Sequence, residues 1–216
     1  SIDEALKAKA DHVPALIELV RASAQRGNID EALAGLDKIP RQSSGVDEAH
    51  KLRGDLLLYG KRDMDAAMVA YREALQVNPS YLEGQAAFVQ LLLLQGKTEA
   101  AAEALQGLAK EAPGKPQTLY LQAMLAYAKN DLKAAQEHAQ KLVSLTPENF
   151  RALELAGMTE LRLGANVQAE ALLAKALQLE AGLPMARRGL VTAYVRQGRL
   201  DKAMSALPVD VERNDR

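Results

Sequence analysis

The side chains that carry most enzyme chemistry are scarce in this sequence and scattered along it. Cysteine is absent from all 216 residues, which removes thiolate catalysis, thiolate metal sites and disulfides together. The three histidines, His12, His50 and His138, are far apart and fall at helix starts or inside a second helix, where a surface imidazole is the plain reading. Asp47, Glu48 and His50 come nearest to a ligand cluster. They open a helix, however, and acids there suit the positive end of the macrodipole. Asp63 and Asp65 belong to a turn. No GxGxxG, GxxxxGKS, GxxxxGKT, HExxH or GxSxG stretch is present, so nothing cradles a phosphate, binds zinc or presents a serine nucleophile in a familiar way. The expectation is a protein that is not an enzyme, with no catalytic residue, no metal and no cofactor.

Composition bounds the class. Ala (39) and Leu (35) dominate while Val (12) and Ile (4) are few, and an apolar content built from strong helix formers predicts an all-α fold. Charged residues are 25% and apolar residues 48%, which is too apolar for disorder. The formal net charge is −1, so no global positive field attracts nucleic acid. No apolar run approaches the roughly 20 residues that span a bilayer. The first residue is Ser1, and 2–10 already reads as helix without a cap, as expected of a piece cut from a longer chain.

The elements that would position any functional side chain are set by a repeat. Ala67, Ala101, Ala135, Ala169 and Ala203 recur every 34 residues, and Ala32 precedes them by 35. Five residues upstream stands Gly27, Gly96, Asn130, Gly164 or Gly198, each suited to the left-handed conformation that ends a helix. Pro79, Pro113 and Pro147 follow twelve residues after the small alanine, where a second helix should stop. Apolar residues between these markers keep helical spacing. Each unit is therefore two short antiparallel helices, with first helices at 12–26, 46–60, 81–95, 116–129, 149–163 and 184–197. The second helices fall at about 29–39, 64–77, 98–112, 132–145, 166–180 and 200–207. The register breaks once, at 40–46, where a longer link reads as a surface loop.

In these residues the chain resembles the tetratricopeptide repeat family across nearly its whole length. Gly54, Ala67, Tyr71, Ala74 and Pro79 match motif positions 8, 20, 24, 27 and 32, with one extra residue between the two helices. Gly157, Gly164, Ala169, Leu173 and Ala176 match in the fifth repeat, and Gly198 and Ala203 in the sixth. Val89 at position 8, Ala139 at position 24 and the absence of Trp depart from the pattern. The resemblance implies a right-handed α-solenoid over 1–208, with repeats at about 13–45, 46–80, 81–115, 116–149, 150–183 and 184–208. Residues 1–10 would end an earlier repeat and 209–216 would be a tail. Small residues at positions 8 and 20 are expected to let the paired helices approach closely.

In that family the inner wall is built mainly from positions 2, 5, 9, 12 and 13 of each first helix. Carried over, these positions mark a partner-binding surface at Tyr59, Leu93, Leu94, Tyr120, Met124, Tyr127, Met158, Leu161, Arg162, Arg188 and Arg196. Tyr and Met are favoured at interfaces, although the stripe of Tyr120, Met124 and Tyr127 also reads as packing within or between repeats. Arg151, Arg162, Arg188 and Arg196 suit a carboxylate or another anion, or else pair with Glu154 and Glu160. The Lys and Asn pair of chaperone-tail clamps is missing. The expected partner is a protein or peptide segment and not nucleic acid. Self-association through the end repeats, with Leu200 and Leu207 exposed, is the alternative. The last repeats look like long bacterial arrays, and the chain is similar over about its whole length to the tetratricopeptide lipoproteins of the PEP-CTERM, exosortase-linked exopolysaccharide system. That resemblance implies a lipid-anchored scaffold on the periplasmic side of a bacterial envelope, with a cytoplasmic location as the other possibility.

Overall fold

The computed structural model describes residues 13–40 and 43–207. The expected end of an earlier repeat at 1–10, the tail at 209–216 and part of the link after Pro40 lie outside the described residues. Every regular element among the described residues is helical. In chain order these are α1 (Val13–Gln25), α2 (Ile29–Leu36), α3 (Val46–Asp55), α4 (Met64–Val77), α5 (Leu82–Leu94) and α6 (Thr98–Glu111). They continue as α7 (Pro116–Ala128), α8 (Leu132–Leu145), α9 (Phe150–Leu163), α10 (Asn166–Leu179), α11 (Pro184–Arg196) and α12 (Leu200–Ala206). The helices pair in sequence order as six hairpins, an all-α solenoid of helix pairs. Contacts gather them into two compact units, Ser1–Ala112 and Pro113–Arg216, with hairpins one to three in the first and four to six in the second.

The turns inside the hairpins share one construction. Gly27, Gly96, Asn130, Gly164 and Gly198 all have positive φ, from 62° at Asn130 to 84° at Gly164. The amide that follows each of them donates to a carbonyl five residues back, as Asp131 N does to Ala126 O at 2.9 Å and Ala165 N to Glu160 O at 2.9 Å. This closes the helix end and satisfies carbonyls that would otherwise lack partners. The second hairpin holds the same place with a charged residue, Arg62 at φ 58°, and there Asp63 N reaches six residues back, to Leu57 O at 2.9 Å. The extra residue visible in the sequence is thus absorbed as a π-helical segment, Leu56–Lys61, that continues α3. A single inserted residue is the usual origin of such a bulge. The helix expected over 46–60 is therefore α-helical only as far as Asp55.

The core follows the repeat. Ala32, Ala67, Ala101, Ala135 and Ala169 are each 0% exposed and Ala203 is 5% exposed, so the 34-residue series marks close helix crossings. Position 8 meets position 24 across the hairpin. A Cβ on Gly54 would lie 2.3 Å from the ring of Tyr71, and one on Gly157 would lie 2.6 Å from Leu173. Glycine there admits the large buried side chain that fills each hairpin, which is a more specific pairing than a general contact between small residues.

One second helix is cut short. α4, α6, α8 and α10 each run 14 residues, whereas α2 runs 8 and stops at Leu36, three residues before the expected end. Pro40 disfavours helix at the residue before it, and Ile39 is buried after the helix has ended. A cleft of about 700 Å³ opens between α2, α3 and α4. The Asp37–Arg53 ion pair at 2.7 Å borders it, as does a contact of His50 Nδ1 with the Glu73 carboxylate at 3.1 Å.

Candidate functional site

The residues expected to form the binding face lie on the first helices of both units, and each unit gives its face a different character. In the first unit two of the carboxylates, Glu48 and Asp55, are engaged, and Glu83 is exposed. Glu48 pairs with Arg21. Asp55 accepts from Lys51 Nζ at 2.7 Å and from the Tyr71 hydroxyl at 2.8 Å. Tyr59, on the π-helical segment, is 57% exposed, and its hydroxyl accepts from Gln90 Nε2 at 3.3 Å. Leu94 is exposed and Leu93 half-buried.

Tyr81, which opens α5, reports the acidity of this region. Burial, then the charges of Glu48, Glu83, Asp47 and Asp55, push its phenol up to about 12. Burial and Asp55 shift the Tyr71 phenol in the same direction. Both groups hold their proton more tightly folded than unfolded, so their contribution is complete below about pH 10 and is lost as pH rises toward 12. Denaturation midpoints should fall across that window, and Tyr81→Phe should flatten part of the fall. An identical slope in the variant would refute the assignment.

In the second unit, Tyr120, Met124 and Tyr127 sit on α7 and are half-buried. Tyr120 and Met124 line up with Tyr127 at helical spacing, while Leu119, Leu121 and Ala123 supply the buried side of the helix. Met158 is half-buried against α11, its sulfur 2.7 Å from where a Cβ on Gly189 would stand. Leu161 is 6% exposed and packs in the core with Ala169, Leu173, Ala186 and Ala193, so its side chain lies behind the face. Its backbone carbonyl, in contrast, is in use there.

The arginines do not pair with Glu154 or Glu160. Arg162 Nη1 donates to the Tyr127 carbonyl at 3.0 Å, its other Nη2 donates to Asn130 Oδ1, and its guanidinium lies 4.5 Å from the Tyr127 ring centroid. One repeat later, Arg196 Nη1 donates to the Leu161 carbonyl at 2.7 Å. Those two carbonyls already accept the amides of Asn130 and Gly164 in their turns. Each oxygen has a second lone pair, and the negative end of a helix favours a cation, so the same arrangement recurs at position 13 of two successive repeats. Glu154 meets the opposite helix end. Leu183, which precedes α11, offers no capping side chain, and Glu154 Oε1 accepts from Ala186 N at 2.9 Å. α9 and α11 are joined at both ends by these charges. Glu160 is buried and accepts from Gln136 at 2.9 and 3.1 Å.

Two features escaped the sequence reading. Asn130 was legible only as a helix stop, yet it receives Arg162. Glu154 reads in the sequence as a partner for the arginines, and its task at the start of α11 is signalled only by the missing cap before Pro184. Arg151 and Arg188 are both exposed. Arg151 stacks on the neighbouring Phe150 ring at 5.8 Å, and Arg188 Nη2 approaches Met185 Sδ at 3.0 Å. Among the described residues no three acidic, histidine or cysteine side chains gather as a metal site. No helix there is long and apolar enough to cross a membrane.

A solenoid of short helix hairpins presenting side chains from its first helices is the architecture of a repeat-built interaction scaffold. Models of the tetratricopeptide repeat match residues 2–56, 58–125 and 120–184, and the chain belongs to that family. It is 26% identical over 222 residues to cellulose synthase operon protein C of Pseudomonas fluorescens, covering 93% of this chain. The chain spans only 17% of the length of that relative. Among solved structures it is similar to PilW, a widely conserved type IV pilus biogenesis factor. The TM-score is 0.76 at 14% identity, with 91% of each chain covered. It is also similar to a thermophilic tetratricopeptide protein of Thermus thermophilus, with a TM-score of 0.65 at 24% identity over 74% of this chain and 88% of that one. At these identities the structural likenesses establish the fold.

Proposed function

We propose that the protein is a non-catalytic scaffold that holds an extended or helical segment of a partner protein on its first-helix face. Its setting would be a bacterial envelope system for exopolysaccharide export or surface protein sorting. The observation that carries the binding part is the stripe of Tyr120, Met124 and Tyr127. These large side chains keep part of their surface open, Tyr120 while also packing on the cluster of Leu119, Leu142 and Ala152, and Leu119, Leu121 and Ala123 form the buried side of α7. Rigid aromatic area with adaptable thioethers beside it suits a peptide ligand. Tyr127 is held in place by Arg162, so little side-chain entropy is lost on binding.

A peptide library titrated against the wild type and Tyr127→Ala tests this reading. Ligands of the wild type should bind the variant about tenfold or more weakly, whereas equal binding would remove the central stripe from the site. The envelope setting is supported by the name of the Pseudomonas relative, a cellulose synthase operon product. A lipid-anchored, periplasmic placement requires a lipobox cysteine at the start of the full reading frame, and a frame without one would end that part of the proposal.

A second reading has its own observation. Leu200, Met204 and Leu207 on and after α12 are 59%, 72% and 51% exposed, an apolar edge on which another copy of the chain could stack. Size-exclusion elution that shifts with concentration would favour such self-association, and constant monomeric elution would remove it.

A further inference from the structure

Among the described residues, the second unit carries a face on which arginines outnumber acids. Motif positions 2, 5, 9, 12 and 13 of its three first helices hold four arginines, Arg151, Arg162, Arg188 and Arg196, and one acid, Glu154. That acid is turned to the first-turn amide of α11 at Ala186. Among the described residues no carboxylate lies within ion-pair distance of any of the four. Two of the guanidiniums are fixed against neutral carbonyls at Tyr127 and Leu161, so they keep their charge while losing their freedom. The other two contact only a ring and a thioether. Away from the face, Arg199 is bound by Glu170, while Arg187 donates to the backbone carbonyls of Ala181 and Ala206. In the first unit the corresponding face holds three acids, of which Glu48 and Asp55 are matched by Arg21 and Lys51 and Glu83 stands exposed.

We propose that the second unit selects acidic partner segments, in which carboxylates reach Arg151 and Arg188 while apolar residues seat on Tyr120, Met124 and Met158. The proposal rests on the reading of the first-helix face as a partner-binding surface and adds the chemistry of the partner. Guanidinium and carboxylate form two-point, charge-assisted hydrogen bonds, and arginines already held in place bind without further loss of rotamer freedom. Arg151 and Arg188 act as the exchangeable contacts, and Arg162 supplies a fixed positive field beside the aromatic stripe.

The test uses the whole chain and three labelled peptides that repeat Glu-Leu-Ser, Gln-Leu-Ser or Lys-Leu-Ser four times, followed by fluorescence anisotropy. The Glu peptide should bind about tenfold more tightly than the Gln peptide and lose affinity as salt rises, and the Lys peptide should bind least. Arg151→Gln and Arg188→Gln should each weaken the Glu peptide by about threefold to tenfold without weakening the Gln peptide. Both positions are exposed, so unchanged melting of these variants guards against misfolding. Equal affinity for the Glu and Gln peptides, with Tyr127→Ala weakening both, would overturn the acidic selection and leave the binding face standing. Failure of all three peptides to bind would overturn both. An oligogalacturonate that binds as tightly as the Glu peptide and is equally weakened by Arg188→Gln would overturn the assignment to a protein segment in favour of an anionic polysaccharide.

Discussion

Alanine at Gly54 is expected to destabilise the first unit by about 2 kcal/mol, although alanine is the better helix former by about 1 kcal/mol. The new Cβ would stand 2.3 and 2.4 Å from two carbons of the Tyr71 ring, closer than any relaxed contact. The ring has nowhere to go. Tyr71 is 1% exposed, and its hydroxyl is anchored to Asp55, which Lys51 also holds. Retreat would therefore break a hydrogen-bonded cluster on the same helix that carries the glycine. Denaturant titration of the whole chain would show the loss as an early transition belonging to the first unit. Tyr71→Ala, which gives the pair the alanines that the fourth hairpin buries at positions 8 and 24, Ala123 and Ala139, should remove the clash, so that Gly54→Ala costs little further in that background. A Gly54→Ala protein as stable as the wild type would mean that the ring is free to shift.

Much of the fold was legible because the marks that set it are local and periodic. The left-handed turn residues, the buried alanines and most helix boundaries follow from the 34-residue spacing. What escaped did so for physical reasons. Arg62 takes the left-handed place in the second hairpin without being glycine or asparagine, so the residue pattern passes over it and only its offset from Ala67 marks the place. The extra residue in that hairpin was visible, but whether it would lengthen the turn or widen the helix depends on hydrogen-bond geometry, and the structure widens the helix. The early end of α2 was signalled by Pro40, yet three more residues appeared helical because Ile39 continues the apolar pattern. The face was located by motif position, which says which side chains point one way but not what they already touch. The acceptors for Arg162 and Arg196 are backbone carbonyls, which every residue has and no sequence pattern distinguishes. Their availability depends on the turn geometry one repeat earlier. Leu161 shows the reverse failure, a face position whose side chain the core has taken.

Leu173→Ala is expected to cost about 3–5 kcal/mol, the largest loss argued here. Leu173 is 0% exposed and sits where two glycines make room for it. A Cβ on Gly157 of α9 would lie 2.6 Å from its Cγ, and one on Gly189 of α11 would lie 2.9 Å from its Cδ1. The walls of the resulting cavity include the α9 and α11 backbones at Gly157 and Gly189, and those two helices are tied at both ends by Glu154 to Ala186 N and by Arg196 to the Leu161 carbonyl. The helices therefore cannot close over the void as readily as loose side chains would, which places the cost in the upper part of the range seen for such truncations. A second substitution gives the argument a sign to test. Gly189→Ala alone should destabilise, because its Cβ meets both Met158 Sδ at 2.7 Å and Leu173. In the Leu173→Ala background one of those clashes is gone, Met158 is flexible, and the added methyl fills part of the cavity, so the same change should become neutral or stabilising. A double-mutant cycle by denaturant titration would measure a coupling of about 1–2 kcal/mol. Strict additivity of the two substitutions would mean that Leu173 and Gly189 do not share the packing described here.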